Sequence, residues 1–143
     1  MGMPEADSIN VEVEVYVCPT EDIEKVKSAV NNLITNLSFE IEESSEGVKI
    51  LFGRADGINS LRNFKDLLKR ERIRYAARAT ILSNMAHNSV IFYLNKQAAF
   101  ANRISFSLPN AESPLGPIKV KVKSEKLSSL IDWLVSSTGN SRN

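Results

Sequence analysis

The chain has 143 residues, of which 43% are hydrophobic and 24% are charged, a composition typical of one ordinary globular domain. Its apolar runs are only a few residues long, whereas roughly 20 apolar residues are needed to span a bilayer, so a membrane segment is excluded. A single cysteine and a single histidine exclude an internal disulfide and leave too few ligands for a structural zinc site. Residues 1–8 lack an apolar stretch after a basic start, so we expect no secretory signal and a cytoplasmic protein.

The net charge of +1 is distributed unevenly along the chain. Residues 1–50 hold 11 acids and 3 bases, a balance of −8, whereas residues 51–143 hold 15 bases and 6 acids, a balance of +9. The densest basic stretch, residues 54–78, has eight bases against three acids. This asymmetry predicts a basic surface of the kind that attracts polyanions.

The first third of the chain predicts a strand, a helix and a hairpin. Apolar and polar residues alternate over residues 9–17, the pattern of a half-buried strand. Thr20 is the expected cap of a helix that ends near Asn36. Residues 39–43 and 48–52 flank a Ser-Ser-Glu-Gly loop, the pattern of two strands joined by a short turn.

The remainder predicts three longer helices, three strands and one short helix. The first two helices are expected at residues 59–71 and 73–84, either separate or as parts of one kinked helix. Residues 90–94 are apolar throughout, which suggests a central strand, and Asn95 should cap a short helix over residues 95–101. Two strands and a last helix follow, at residues 104–107, 118–123 and 125–135.

Hairpins interspersed with helices indicate an α+β fold rather than a doubly wound one. We expect a mixed, largely antiparallel sheet with helices packed on one face. One domain should cover residues 9–137, between a flexible leader at residues 1–8 and a disordered tail at residues 138–143. Six residues on the apolar faces of their elements should share one core: Val13, Val15, Leu61, Phe64, Phe92 and Ile131.

Four cations in the predicted helix at residues 59–71 are spaced by 3, 4 and 3 residues, which places them within about 80° of arc on one face. They are Arg62, Lys65, Lys69 and Arg72. Arg74 and Arg78 continue the basic character, so six cations could contact successive phosphates. The alternative is an ordinary solvated helix face.

Tyr75 lies between two of these arginines, Arg74 and Arg78. An exposed tyrosine at this position would offer a platform on which an unpaired base could stack. We favour the alternative interpretation, in which the ring packs into the core.

Lys96 falls in the first turn of the predicted short helix, where a cation opposes the helix dipole at a cost of roughly 0.3–1 kcal/mol. An anion held there by backbone N–H groups, Lys96 and Gln97 would remove the conflict, and the segment would then be a small phosphate site. The alternative is an ordinary cap by Asn95 with Lys96 extended into solvent.

Lys119, Lys121 and Lys123 alternate with apolar residues, so their ammonium groups should project from one strand face over ~13 Å. They could follow a nucleic-acid backbone. Two structural alternatives are lysines that protect an edge strand from aggregation and cross-strand pairing with Glu12 and Glu14.

Catalysis finds little support in the sequence. Glu42 and Glu43 are adjacent and so point to opposite faces of a strand, and no serine has a histidine and an acid nearby. We therefore expect no enzyme, no cofactor and no metal. Cys18 is interpreted as a small buried hydrophobe, His87 as an exposed loop residue, and residues 113–117 as a rigid structural turn.

Four segments carry a resemblance to a known family: Pro19-Thr20-Glu21-Asp22 after the valine-rich strand, Ile73 with Ala77-Arg78, Leu94 to Phe100, and Ser113 to Pro117. On these segments the chain resembles, over about residues 9–123, a family of small archaeal proteins that is uncharacterised as a class and described as RNA-binding. The resemblance implies RNA binding. It also implies a fold similar to that of the large-subunit ribosomal protein that contacts 5S RNA.

Two functions follow as hypotheses. The first is an RNA-binding protein that uses the basic helix face and the short-helix start. The second is a non-catalytic homodimer in which the acidic first third of one subunit faces the basic remainder of the other. The two differ in whether the basic helix face is exposed or covered by a subunit related by two-fold symmetry. A small ligand in a pocket is a weaker third hypothesis.

Overall fold

The computed structural model describes residues 9–108 and 116–136. The predicted leader and tail, and most of the predicted turn at residues 113–117, lie outside these ranges. Within them the predicted order of elements is confirmed. The elements are β1 (Ile9–Val17), α1 (Ile23–Leu33), β2 (Ser38–Glu43), β3 (Lys49–Asp56), α2 (Arg62–Arg70), α3 (Arg74–Ser83), β4 (Ser89–Asn95), α4 (Lys96–Phe100), β5 (Phe106–Ser107), β6 (Pro117–Ser124) and α5 (Leu127–Leu134).

The six strands form one sheet in the order β2-β3-β1-β6-β4-β5, and each described pair of neighbours is antiparallel. Side chains from all five helices join one core cluster with the inward-facing residues of β1, β4 and β6. The predicted α+β fold, with helices on one face of the sheet, is confirmed. None of the helices in the described ranges is long and apolar enough to cross a membrane.

The predicted core is confirmed at all six positions, each of which is at most 2% exposed. Phe92 is at its centre: its ring lies 5.7 Å from that of Phe64 and 5.8 Å from that of Phe106, measured between centroids. Along β1 the buried side chains are those at odd positions, as the alternation of the sequence predicts. The even positions face the opposite side of the sheet, which we call the open face.

Three local predictions are wrong. Asp22, not Thr20, caps α1, because its carboxylate accepts a hydrogen bond of 2.9 Å from the Glu24 N–H. That helix ends at Leu33 rather than near Asn36. Strand β4 is not central: its only other neighbour besides β6 among the described strands is the two-residue β5. The outward-facing side chains of β4 are half buried rather than solvated, so apolar residues occupy both faces of this strand although it is not at the centre of the sheet.

The two basic helices are separate rather than one kinked helix. Helix α2 ends at Arg70, and Arg72 has a φ of 59°, a left-handed conformation that stops the helix. The Ile73 N–H then donates to the Leu68 carbonyl at 3.2 Å, which closes the turn before α3 starts at Arg74.

Candidate nucleic-acid interface

Helix α2 exposes two of its predicted cations. Arg62 and Lys69 are seven residues apart, so at about 100° per residue they lie within about 20° of each other on the solvent side. The Arg62 guanidinium is oriented by its Nε, which donates to Oδ1 of Asn59 at 2.7 Å. The opposite face buries Phe64, Leu67 and Leu68. Both cations are therefore placed where a large anion can reach them.

Lys65 does not share this exposure and is only 8% accessible. Its Nζ donates to the Ser136 carbonyl at 3.1 Å and lies 5.4 Å from the centroid of the Trp133 ring. Burial lowers the pKa of this ammonium; Asp66 opposes the shift, and the positive charges of Lys69 and Arg74 add to it. Because it is covered, Lys65 is removed from the predicted contact surface.

The reason for this correction is the position of Lys65 on the helix. It precedes Leu68 by three residues, which puts it only about 60° from that core residue. It therefore lies at the border between the basic stripe and the apolar stripe. Helix α5 reaches this border through Trp133, and the spacing within α2 gave no sign of that contact.

The junction between α2 and α3 carries the densest group of exposed cations. Lys69, Arg70 and Arg72 are all exposed within four residues. Arg70 donates to the Asn102 carbonyl at 3.1 Å and its Nη2 lies 3.9 Å from a Glu71 carboxylate oxygen. No ion pair of the described residues involves Lys69 or Arg72. Arg70 was not among the predicted contact residues. Its position in the same basic stretch of sequence could have indicated it.

The first turn of α3 differs from the prediction. Tyr75 is 93% exposed, so the favoured interpretation of it as a core residue is wrong. Arg74 is half buried, and its Nη1 is enclosed without a hydrogen-bond partner in the described part of the chain. Arg78 is exposed and pairs with Asp132 of α5, with 3.0 Å between Nη1 and Oδ1.

These side chains border a recess between α3 and the end of α5. Its volume is about 360 Å³, and we call it the Tyr75 recess. The residues that line it are Arg74, Tyr75, Arg78, Asp132, Val135 and Ser136. Asp132 of α5 and the two residues that follow this helix lie more than 50 positions further along the chain, so sequence spacing could not have indicated this recess.

The start of α4 is not a phosphate site. Asn95 caps it as predicted, since its Oδ1 accepts a hydrogen bond of 2.8 Å from the Ala98 N–H. Lys96, however, is 2% exposed, and its Nζ lies 3.1 Å from a Glu21 carboxylate oxygen and 2.7 Å from the Tyr16 carbonyl. The anion that neutralises this cation is a side chain of the protein itself. Lys96 is therefore removed from the contact surface. Gln97 is exposed, but the Lys96 ammonium with which it was expected to hold a phosphate is buried and paired with Glu21.

The lysines of β6 lie on the open face, and two of the three are opposite acids. Glu12 is directly opposite Lys121 and Glu14 directly opposite Lys119, which is the cross-strand arrangement that we considered as an alternative. On the other side of β1, Arg54 Nε lies 3.8 Å from Glu12 Oε2. A groove of about 420 Å³ on this face is lined by three acids and three bases, so its charge is balanced. This surface lacks the excess of positive charge that α2 and α3 display.

Of the predictions for the single histidine and the single cysteine, the first is confirmed and the second is wrong. His87 is exposed, as expected, whereas Cys18 is half buried rather than fully buried. The Cys18 N–H donates to a Glu21 carboxylate oxygen at 2.9 Å. Within residues 9–108 and 116–136, no three histidine, cysteine, aspartate or glutamate side chains are grouped so as to hold a metal ion.

Comparison with known proteins identifies the family of this chain. Residues 10–124 match a protein-family model described as RNA binding. A UPF0201 protein from Sulfurisphaera tokodaii is 43% identical over 126 residues, which cover 88% of this chain and 86% of that protein. The chain belongs to the UPF0201 family. A second member, from Methanothermobacter thermautotrophicus, is 41% identical over 87% of this chain and 89% of its own.

Solved structures of the family share the fold. A crystal structure of a UPF0201 protein from Methanococcus jannaschii superposes with a TM-score of 0.79 at 27% identity, over 94% of this chain and 96% of the other. Another UPF0201 crystal structure gives a TM-score of 0.78 at 32% identity, over 94% and 98%. The resemblance to an archaeal family is thus confirmed. The likeness to the ribosomal protein that contacts 5S RNA stays a prediction.

Proposed function

We propose that this protein binds RNA through six cations of α2, α3 and the turn between them. The contact residues are Arg62, Lys69, Arg70, Arg72, Arg74 and Arg78, and we call them the helical basic surface. The observation that carries the proposal is the group of three exposed cations at residues 69–72, two of which have no ion-pair partner among the described residues. The family description as RNA binding supports the same function.

The expected mode of binding is electrostatic. Arginine and lysine side chains on a helix surface contact phosphates, which position a protein without reading the base sequence. Each neutralised phosphate releases counterions, so affinity depends steeply on salt. With about four phosphates neutralised, the logarithm of affinity should fall with the logarithm of salt concentration at a slope near −3.

The test is a salt titration of binding to single-stranded RNA, followed by fluorescence anisotropy. The variant Lys69→Gln/Arg70→Gln/Arg72→Gln removes three charges from the helical basic surface, and we expect weaker binding and a slope flatter by about 2. The matched control, Lys119→Gln/Lys121→Gln/Lys123→Gln, removes the same charge from the open face. It should change affinity far less, because acids opposite Lys119 and Lys121 already offset the field of these two lysines.

The result that overturns the proposal is equally specific. If the control loses affinity while the helix variant binds like the parent, the contact surface is the β6 strand. If the parent has no affinity for RNA at low salt, the function itself is wrong.

The homodimer hypothesis gains less support from the structure. It requires acids of one subunit to find bases on another, yet Glu12 and Glu14 already face Lys121 and Lys119 within one chain. Light scattering of the parent at several protein concentrations distinguishes the two functions. A mass that doubles, together with RNA affinity that falls as the dimer forms, would favour the homodimer.

A further inference from the structure

We infer that the Tyr75 recess holds one unpaired nucleotide of the bound RNA, with its base stacked on Tyr75 and its phosphate held by Arg74 and Arg78. The inference rests on the proposed RNA binding and extends it. The helical basic surface accounts for affinity to any polyanion, whereas this recess would require a strand whose bases are free. It therefore names the class of RNA: single-stranded, or with a flipped-out or looped nucleotide.

The exposed ring is the first observation. Tyr75 is 93% exposed, so it contributes almost nothing to the core. A single exposed aromatic residue is common on protein surfaces and needs no explanation by itself. Its placement matters here, because it forms one wall of a recess whose neighbouring walls carry two arginines. Base stacking on such a ring is tolerant of sequence, because every base has an aromatic face.

The enclosed guanidinium atom is the second, independent observation. Nη1 of Arg74 is shielded from solvent and has no hydrogen-bond partner in the described part of the chain. A charged donor left unpaired in this way is costly, because its lost hydration is not replaced. Arginine pairs with phosphate through two parallel N–H donors, so a phosphate in the recess would supply the missing partner after a small change of rotamer.

The surrounding charges favour an anion in the recess. Arg78 is held at the rim by Asp132, but a guanidinium has five N–H donors, so the ion pair leaves others available. The first turn of α3 has no side-chain cap, and its unsatisfied N–H groups carry the positive end of the helix dipole. Lys65, whose ammonium donates to Ser136, places a further cation beside the recess. Asp132 is the one acid among the residues that line it.

The size and position also fit a nucleotide. A volume of about 360 Å³ lies within the roughly 300–1,000 Å³ of typical small-ligand pockets. Tyr75 follows Arg72 by three positions in sequence, and we infer that a strand bound to the exposed cations at residues 69–72 continues to Tyr75. A duplex would not reach it in the same way, because its bases are already stacked on one another.

The experiment compares binding of a short single-stranded RNA with binding of a duplex of the same length. Tyr75→Ala should weaken single-stranded binding by at least about fivefold, the equivalent of ~1 kcal/mol of stacking, and leave duplex binding unchanged. Its salt slope should equal that of the parent, because no charge is removed. Tyr75→Phe should bind like the parent. Tyr16→Ala, which removes a half-exposed tyrosine from the open face, is the matched control and should have no effect.

Arg74→Gln supplies a second readout. It should weaken single-stranded binding and flatten the salt slope by about 1, because one phosphate contact is lost. Circular dichroism and the midpoint of thermal unfolding should be those of the parent for Tyr75→Ala, since the ring packs against so little of the protein.

Two of the possible outcomes separate the recess from the wider surface. One outcome is that Tyr75→Ala binds single-stranded RNA like the parent, while the variant Lys69→Gln/Arg70→Gln/Arg72→Gln loses affinity. In that case the recess inference is wrong and the proposed contact by the helical basic surface stands. If Tyr75→Ala weakens single-stranded and duplex binding equally, stacking is refuted. If the parent binds neither RNA, both proposals fail together.

Discussion

The ammonium group of Lys96 lies 3.1 Å from a carboxylate oxygen of Glu21, and the two side chains are only 1% and 9% exposed. The same ammonium donates to the Tyr16 carbonyl at 2.7 Å, and the same carboxylate accepts from the Cys18 N–H at 2.9 Å. The pair thus ties the start of α4 to the end of β1 and the loop that follows it. A residue that sequence alone suggested for ligand binding is instead part of the protein's internal framework.

Removal of one partner of this pair should be strongly destabilising. We expect Lys96→Met to lower the free energy of unfolding by about 3–5 kcal/mol, because Glu21 would be left buried without its cation. The double variant Lys96→Met/Glu21→Gln should recover part of the loss, since it removes both charges. Urea denaturation measures both effects. Lys27→Met, which breaks an exposed pair with Glu24, is the control and should cost under about 1 kcal/mol. A Lys96→Met variant as stable as this control would contradict the framework role.

The cap of α4 gives a second prediction. Asn95→Ala removes the side-chain oxygen that accepts from the Ala98 N–H, and we expect a loss of about 0.5–2 kcal/mol in unfolding free energy. Asn95→Ser keeps an oxygen at the cap and should retain most of the stability. Thermal unfolding monitored by circular dichroism compares the two variants. Equal destabilisation by serine and alanine would show that the loss does not come from the cap.

Lys65 gives a prediction about pH. Burial lowers the pKa of its ammonium below the usual 10.5, so the unfolded chain holds this proton more tightly than the folded one. Stability therefore rises with pH from the folded pKa up to about 10.5, because the cost of the buried charge disappears as Lys65 loses its proton. Lys65→Met should lack this rise. Urea midpoints between about pH 8 and 10.5 measure the difference between parent and variant. A midpoint of the parent that stays constant relative to that of Lys65→Met over this range, or that falls relative to it as pH rises, would refute the shift.

The aromatic centre of the core gives the fourth prediction. Phe92 contacts Phe64 and Phe106, and it is only 1% exposed. Phe92→Ala should cost about 3–5 kcal/mol, from lost burial and the cavity that remains. Phe100→Ala is the control, because that ring is 42% exposed and should cost much less. Chemical denaturation provides the comparison, and similar losses in the two variants would contradict the placement of the core.

The order of the elements and the composition of the core were predictable because they depend on local periodicity. Strict alternation in residues 9–17 fixes which side chains of β1 share a face, whichever strand pairs with it. The 3–4 spacing of Leu127, Leu130, Ile131 and Leu134 likewise places all four on the buried side of α5. Asn95 was recognisable as a cap because the required hydrogen bond is made within three residues.

The candidate site depended on contacts between residues far apart in sequence, and these only the tertiary structure decided. Lys65 and Lys96 share their residue type and helical setting with exposed lysines, but their ammonium groups are covered by partners 71 and 75 positions away. Tyr75, which the pattern assigned to the core, is exposed because Ala77 and Ile81 carry the buried face of α3. Sequence periodicity determines which side chains share a face of a helix, whereas the packing of other elements determines how far that face is covered. For this reason the sequence indicated a basic surface, and the structure determined which of its cations are exposed and which are covered.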